Sequence, residues 1–133
     1  MTDATGVPEK DFKRKLTPKR YKVLREKGTE APFSGDLLYN KKNGKYLCAA
    51  CGNKLFGSET KYDSGSGWPS FWAPLSEESI AETEDDSIEL KRIELVCSIC
   101  RSHLGHVFDD GPAPTGRRYC INSLSLDFEE SKK

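Results

Sequence analysis

This chain has no net charge. Its 133 residues carry 21 basic and 21 acidic side chains. A balanced chain exerts no general pull on nucleic acid or on an anionic membrane surface. Long apolar runs are missing too, and no stretch approaches the roughly 20 residues of a membrane-spanning helix. The opening residues Met1-Thr2-Asp3-Ala4-Thr5-Gly6 contain nothing like the apolar core of a secretion signal. A cytoplasmic protein with reduced cysteines is the expectation. Hydrophobic residues make up only 35%, so the core is small and a metal staple would add much to it. Histidine is scarcest of all the reactive types: His103 and His106 are the only two. One domain, acting as a monomer, fits this length.

Turns and short apolar runs are plentiful. Residues 1–15 are polar, with a basic run at Lys10, Lys13, Arg14 and Lys15, and read as an N-terminal arm. Thr17 and Pro18 suit the cap and first position of a helix that Gly28 ends. Leu37-Leu38-Tyr39 and Tyr46-Leu47-Cys48 flank Asn43-Gly44, a strong hairpin signal. Further strand candidates are Leu55-Phe56, Ile88-Glu89-Leu90, Ile93 to Cys97 and His106-Val107-Phe108, with an acidic loop around Glu82 to Asp86. One helix and many short strands argue for a mainly antiparallel β domain. Its catalytic part is expected over 16–128, with a tail at 129–133.

The cysteines narrow the chemistry. Cys48-Ala49-Ala50-Cys51 and Cys97-Ser98-Ile99-Cys100 are two CxxC pairs, each on a turn after a strand. Together they suit a tetrahedral four-thiolate zinc site, which has no open position and is therefore structural. Two disulfides are disfavoured in a reducing compartment, and a thioredoxin-type CxxC needs a βαβ context that this pattern lacks.

Removing four ligands from five cysteines leaves Cys120. It lies in Arg118-Tyr119-Cys120-Ile121-Asn122-Ser123, expected as a strand running on through Leu124, Leu126 and Phe128. Alternation puts Arg118, Cys120 and Asn122 on one side. A cation beside a thiol favours the thiolate, which is the nucleophile. A lone cysteine is usually a small buried hydrophobe; here Arg118, Asn122 and the two histidines favour chemistry. With the metal's ligands already supplied by thiolates, His103 and His106 read as proton donors more readily than as zinc ligands. Trp68, Phe71 and Trp72 read equally as core aromatics or as the wall of an apolar cage.

Several stretches then carry a likeness: Gly28-Thr29-Glu30, Pro32-Phe33-Ser34-Gly35, Tyr62 to Phe71, His103 to Phe108 and Arg118 to Ser123. Taken in order from Leu16 to Phe128, they resemble the peptide-methionine (R)-sulfoxide reductases, enzymes that repair one epimer of oxidised methionine. The resemblance implies a β-tent-like fold of two antiparallel sheets with a short N-terminal helical region, stapled by zinc. It implies Cys120 as nucleophile passing through a sulfenic acid, with His103 and His106 beside it; His103 is expected as the main acid and His106 as its helper. Arg118 and Asn122 stand around them, and Trp68, with Phe71 and Thr29, holds the substrate. Many relatives carry a second cysteine where this chain has Ser66. The reductant is then expected from outside, as thioredoxin or another thiol. The rival from another class is a non-catalytic zinc-stapled β module with an aromatic pocket; a zinc-ribbon nucleic-acid binder is disfavoured by the charge balance.

Overall fold

A computed structural model describes residues 12–14, 16–85 and 92–131 of the chain. Among the described residues, helix α1 (Pro18–Glu26) precedes nine strands: β1 (Gly44–Cys48), β2 (Lys54–Gly57), β3 (Lys61–Tyr62), β4 (Ser70–Phe71), β5 (Ile80–Asp85), β6 (Arg92–Cys97), β7 (His103–Phe108), β8 (Arg118–Ile121) and β9 (Leu126–Glu130). They form a three-stranded sheet, β2-β1-β9, and a six-stranded sheet, β3-β4-β8-β7-β6-β5. Every pairing is antiparallel. The expected class, mainly β in two antiparallel sheets with a short helix, is the class observed.

Helix α1 begins as its sequence predicts. Thr17 Oγ1 accepts the Arg20 amide hydrogen at 3.2 Å, and Pro18 follows at the first helical position. This cap is worth about 1 kcal/mol. At the other end the left-handed residue is Lys27 (φ 57°) rather than Gly28. Gly28 instead donates its N–H to Lys22 O at 2.9 Å, closing the last turn. Val23 and Leu24 are buried, and Arg25 lies 4.3 Å over the ring of Phe12. Phe12 belongs to the stretch read as an arm, yet it is buried in the core, and residues 12–14 are helical. Residues 1–11 and 15 lie outside the described residues.

Three expectations about strands are corrected. The Asn-Gly hairpin does not form: residues 37–39 are a turn, and β1 pairs with β2 and β9. Gly44 serves close approach, since a methyl group there would fall 2.2 Å from Glu129 O on β9. Glu82 to Asp85 of the expected acidic loop belong to strand β5, paired along its whole length with β6, and Asp86 lies outside the described residues. As the edge of its sheet β5 tolerates Glu82 and Glu84 facing water. The strand of Cys120 also stops early, at Ile121. A 3-10 turn (Ser123–Ser125) then carries the chain across to β9 in the other sheet. Strand β9 runs on to Glu130, two residues into the expected tail. Ile88-Glu89-Leu90 lies outside the described residues.

The core fills the space between the sheets. Phe56 and Phe71 stack at 4.4 Å, and Tyr46 meets Phe71 edge-on at 5.1 Å. Leu55, Leu95, Leu104, Ile121 and Leu126 are fully enclosed around them. Truncating Phe71 to alanine removes a buried ring that packs across to two rings of the other sheet, which costs about 3–5 kcal/mol. The stack anchors β4 on the other sheet, and β4 pairs with β8, with Ser70 opposite Cys120 on the face turned away from the core.

Candidate active site

Two centres are built on this frame. The first lies where the sheets meet at the ends of β1 and β6. Cys48 closes β1 and Cys97 closes β6; Cys51 and Cys100 follow on the turns. The two turns share one backbone design. Cys48 O accepts from Gly52 N at 2.8 Å, and Cys97 O accepts from Arg101 N at 2.9 Å. Both turns reverse through a left-handed residue, Gly52 (φ 81°) and Arg101 (φ 64°). All four sulfurs lie within 4.8 Å of one another, with 3.6 Å between Cys48 and Cys100 and 3.5 Å between Cys51 and Cys97. A tetrahedron of thiolates around zinc, with bonds of about 2.3 Å, needs sulfurs about 3.8 Å apart. The cluster therefore fits a metal ion held by all four expected cysteines, tying one sheet to the other.

The second centre lies on β8. Tyr119 and Ile121 turn into the core, so Arg118 and Cys120 face the other way, half-buried. Cys120 pairs with Ser70 on β4 and with His106 on β7, and His106 pairs with Glu94 on β6. Paired residues share a face, so Ser70, Cys120, His106 and Glu94 make one row across four strands. A pocket of about 280 Å³ opens over this row. Thr29, Ser66, Trp68, His106, Arg118, Cys120 and Asn122 are among its walls.

Each wall is held from behind. Trp68 Nε1 donates to Glu30 O at 3.0 Å. Asn122 accepts the Glu30 amide hydrogen on Oδ1 at 3.1 Å and donates from Nδ2 to Leu104 O at 3.0 Å. Arg118 makes two hydrogen bonds to Asp110, at 2.9 and 3.2 Å, and lies 4.4 Å over the Phe108 ring. A chain of hydroxyls reaches Cys120: Ser70 and Ser64 at 2.7 Å, Ser64 to Ser66 at 2.8 Å, then Ser66 Oγ 3.6 Å from Cys120 Sγ. Burial pushes the Cys120 thiol up, and Ser66 and Arg118 pull it back without overcoming burial. Arg118 thus favours the thiolate as expected, while desolvation, the larger influence, opposes it.

A scan of family models finds the SelR domain over residues 16–130. The chain belongs to the SelR domain family. It is similar to peptide methionine sulfoxide reductase MsrB of Methanosarcina barkeri, 59% identical over 98% of this chain and 92% of that protein. The same-named protein of Methanosarcina mazei is 60% identical over 93% and 89%. Methionine-R-sulfoxide reductase B3, mitochondrial, of Mus musculus is 53% identical, over 90% of this chain and 47% of its own length.

Within this SelR chain, the site residues read from the sequence fall into three groups. Cys120, Arg118, Asn122, His106, Trp68 and Thr29 come together at the pocket. His103 is buried one layer behind. Its Nδ1 meets Glu94 Oε2 at 2.7 Å, and its ring lies 5.4 Å from that of His106. A spacing of three would put the histidines on opposite faces of a regular strand. A bulge prevents this: between the pairs Leu95–Gly105 and Val96–His103, β7 advances two residues while β6 advances one. The residue nearest the pocket is thus His106, the expected helper. Phe71 is the third group and a correction. It alternates away from Ser70 and stacks on Phe56 in the core, outside the pocket.

Two partners were missed. Burial alone would push Glu94 up, but His103 and Lys27 (3.1 Å) more than offset it and hold its carboxyl below the usual range. Its signal was a single acid inside the apolar run Ile93 to Cys97. Asp110, the partner of Arg118, gave no such signal, because it sits in an ordinary polar loop. No helix among the described residues is long and apolar enough to cross a membrane.

Proposed function

We propose that this chain reduces the R epimer of methionine sulfoxide to methionine, using Cys120 as the nucleophile. The observation that carries the reading is Cys120 in a pocket between an indole and an imidazole, in a chain whose relatives are named for this reaction. The Mus musculus relative is named for the R epimer. Trp68 takes the S-methyl group, which orients one epimer with its sulfur towards Cys120 Sγ and its oxygen towards His106.

Proton and nucleophile are delivered together at this site. His106 takes the thiol proton and passes it to the sulfoxide oxygen as the new bond to sulfur forms. Hydrogen-bond donors at the pocket stabilise the charge developing on oxygen. The hydroxyl then shifts from the substrate sulfur to Cys120 Sγ as the S–O and S–S bonds to that sulfur break, so Cys120 loses two electrons and becomes a sulfenic acid while the sulfoxide sulfur gains them and leaves as methionine. One external thiol then condenses with the sulfenic acid, releasing water and forming a mixed disulfide. A second thiol releases Cys120 as a thiol and leaves as the external disulfide. Thioredoxin or a small thiol fills this role, because Ser66 cannot form a disulfide with Cys120. His103, tied to Glu94, holds His106 in place.

The four-cysteine cluster holds one zinc ion as a structural staple, consistent with its all-thiolate donor set. The enzyme acts as a cytoplasmic monomer. Incubation with separated R and S epimers and a dithiol tests the reading: the R form is consumed and the S form is untouched. Consumption of the S form, or of neither, overturns it.

A further inference from the structure

Residues 31–34 form a tight turn in which Ser34 N donates to Ala31 O at 3.3 Å. Pro32 stands at its second position and Phe33 at its third, with φ 63°. The positive φ makes this a type II turn, whose third position ordinarily takes glycine or asparagine. A bulky residue there is a true outlier.

The conformation is enforced by the loop opposite. Phe33 N donates to Gly67 O at 2.7 Å. A methyl group on Gly67 would fall 2.6 Å from Pro32 Cβ and 3.1 Å from two carbons of the Phe33 ring, so the two loops are pressed together. Yet the side chain gains little shelter, and Phe33 remains 61% exposed. Neither contribution to folding favours phenylalanine here: the backbone suits glycine, and most of the ring stays in water. Strain held in place without benefit to folding points to binding.

Its location says what is bound. Ser66 and Trp68, on either side of Gly67, line the pocket, as does Thr29 at the start of the same strap. We propose that Phe33 is a docking knob for the polypeptide flanking a methionine sulfoxide, so that the pocket rim distinguishes protein-bound from free substrate. The occupant is an extended, apolar segment of unfolded chain. Methionine is among the residues most often buried, so oxidation that opens a core exposes it among apolar neighbours. The free amino acid offers the ring only charged groups. The inference rests on the reductase reading for its role in turnover, but not for binding.

Phe33→Gly separates docking from folding, because glycine relieves the backbone while removing the ring. The variant should melt no lower than the parent and process free methionine R-sulfoxide within about twofold of it. On a ten-residue peptide with one methionine sulfoxide among leucines and valines, kcat/KM should fall about 10-fold (~1.4 kcal/mol), through KM. In a Cys120→Ser background, which cannot turn over, the fluorescein-labelled peptide should bind about 10-fold more weakly when Phe33→Gly is added. Equal loss on both substrates together with a lowered melting temperature would assign the ring to packing on Gly67 and overturn the proposal. Unchanged peptide affinity would overturn it as well. A parent protein that reduces neither substrate would defeat the reductase reading, and the peptide affinities would still decide the docking claim.

Discussion

Five identical side chains occupy two kinds of place in this molecule. Cys48, Cys51, Cys97 and Cys100 lie at strand ends and on turns, where the chain reverses and four sulfurs gather within 4.8 Å. Cys120 lies within β8, faced by the hydroxyls of Ser66 and Ser70, by His106 and by Arg118. A thiol among thiols suits a soft metal. A thiol among hydrogen-bond donors and an imidazole suits nucleophilic attack. The neighbours, not the residue, divide the labour.

The most severe way to break this division is to swap serine into each centre. Cys120→Ser should lower sulfoxide reduction by at least about 10³-fold, with metal content and melting temperature unchanged. Steady-state turnover and metal analysis check both halves together. Cys97→Ser should do the reverse, losing the metal and about 3 kcal/mol or more of stability. A Cys97→Ser protein that kept one full metal equivalent and melted normally would end the assignment.

Exchanging the histidines probes the second centre more finely. His106→Ala should cost about 10²–10³-fold in kcat, the usual worth of a positioned acid-base group. His103→Ala should cost less, because it acts through its neighbour. If His103→Ala proved the more damaging, the ranking read from the pocket would reverse.

A smaller effect concerns Cys120's own acidity. Since burial raises its thiol, alkylation by iodoacetamide should climb with pH to a midpoint above the ordinary thiol range. Ser66→Ala removes a hydrogen bond that favours the thiolate, so its midpoint should move higher still and its rate at pH ~8 fall severalfold. A lower midpoint in Ser66→Ala would show that the hydroxyl does not stabilise the thiolate. The smallest effect lies in the metal turns. Arg101→Gly makes the second turn copy the first, relieving left-handed strain while adding freedom to the unfolded chain. Urea unfolding should detect a change within about 1 kcal/mol.

The sequence by itself determined much of this protein. Thiolate pairs on turns imply a metal by their spacing alone, because each CxxC is a local structure. The cap of α1 was legible for the same reason: Thr17 and Pro18 act on backbone only a few residues away. Strand alternation likewise put Arg118 and Cys120 on one side and Tyr119 on the other. Tertiary structure decided what depends on distant partners. Asn43-Gly44 carries a hairpin signal, but Gly44 answers to Glu129 on β9. Phe71 sits in a motif shared with the site, but the rings of Phe56 and Tyr46 claim it. The two histidines share a face only because β7 bulges against β6, and no spacing rule contains a bulge. The acidity of Cys120 was decided last and least locally. Arg118 is two residues away and visible in sequence, whereas the burial that outweighs it belongs to the whole fold.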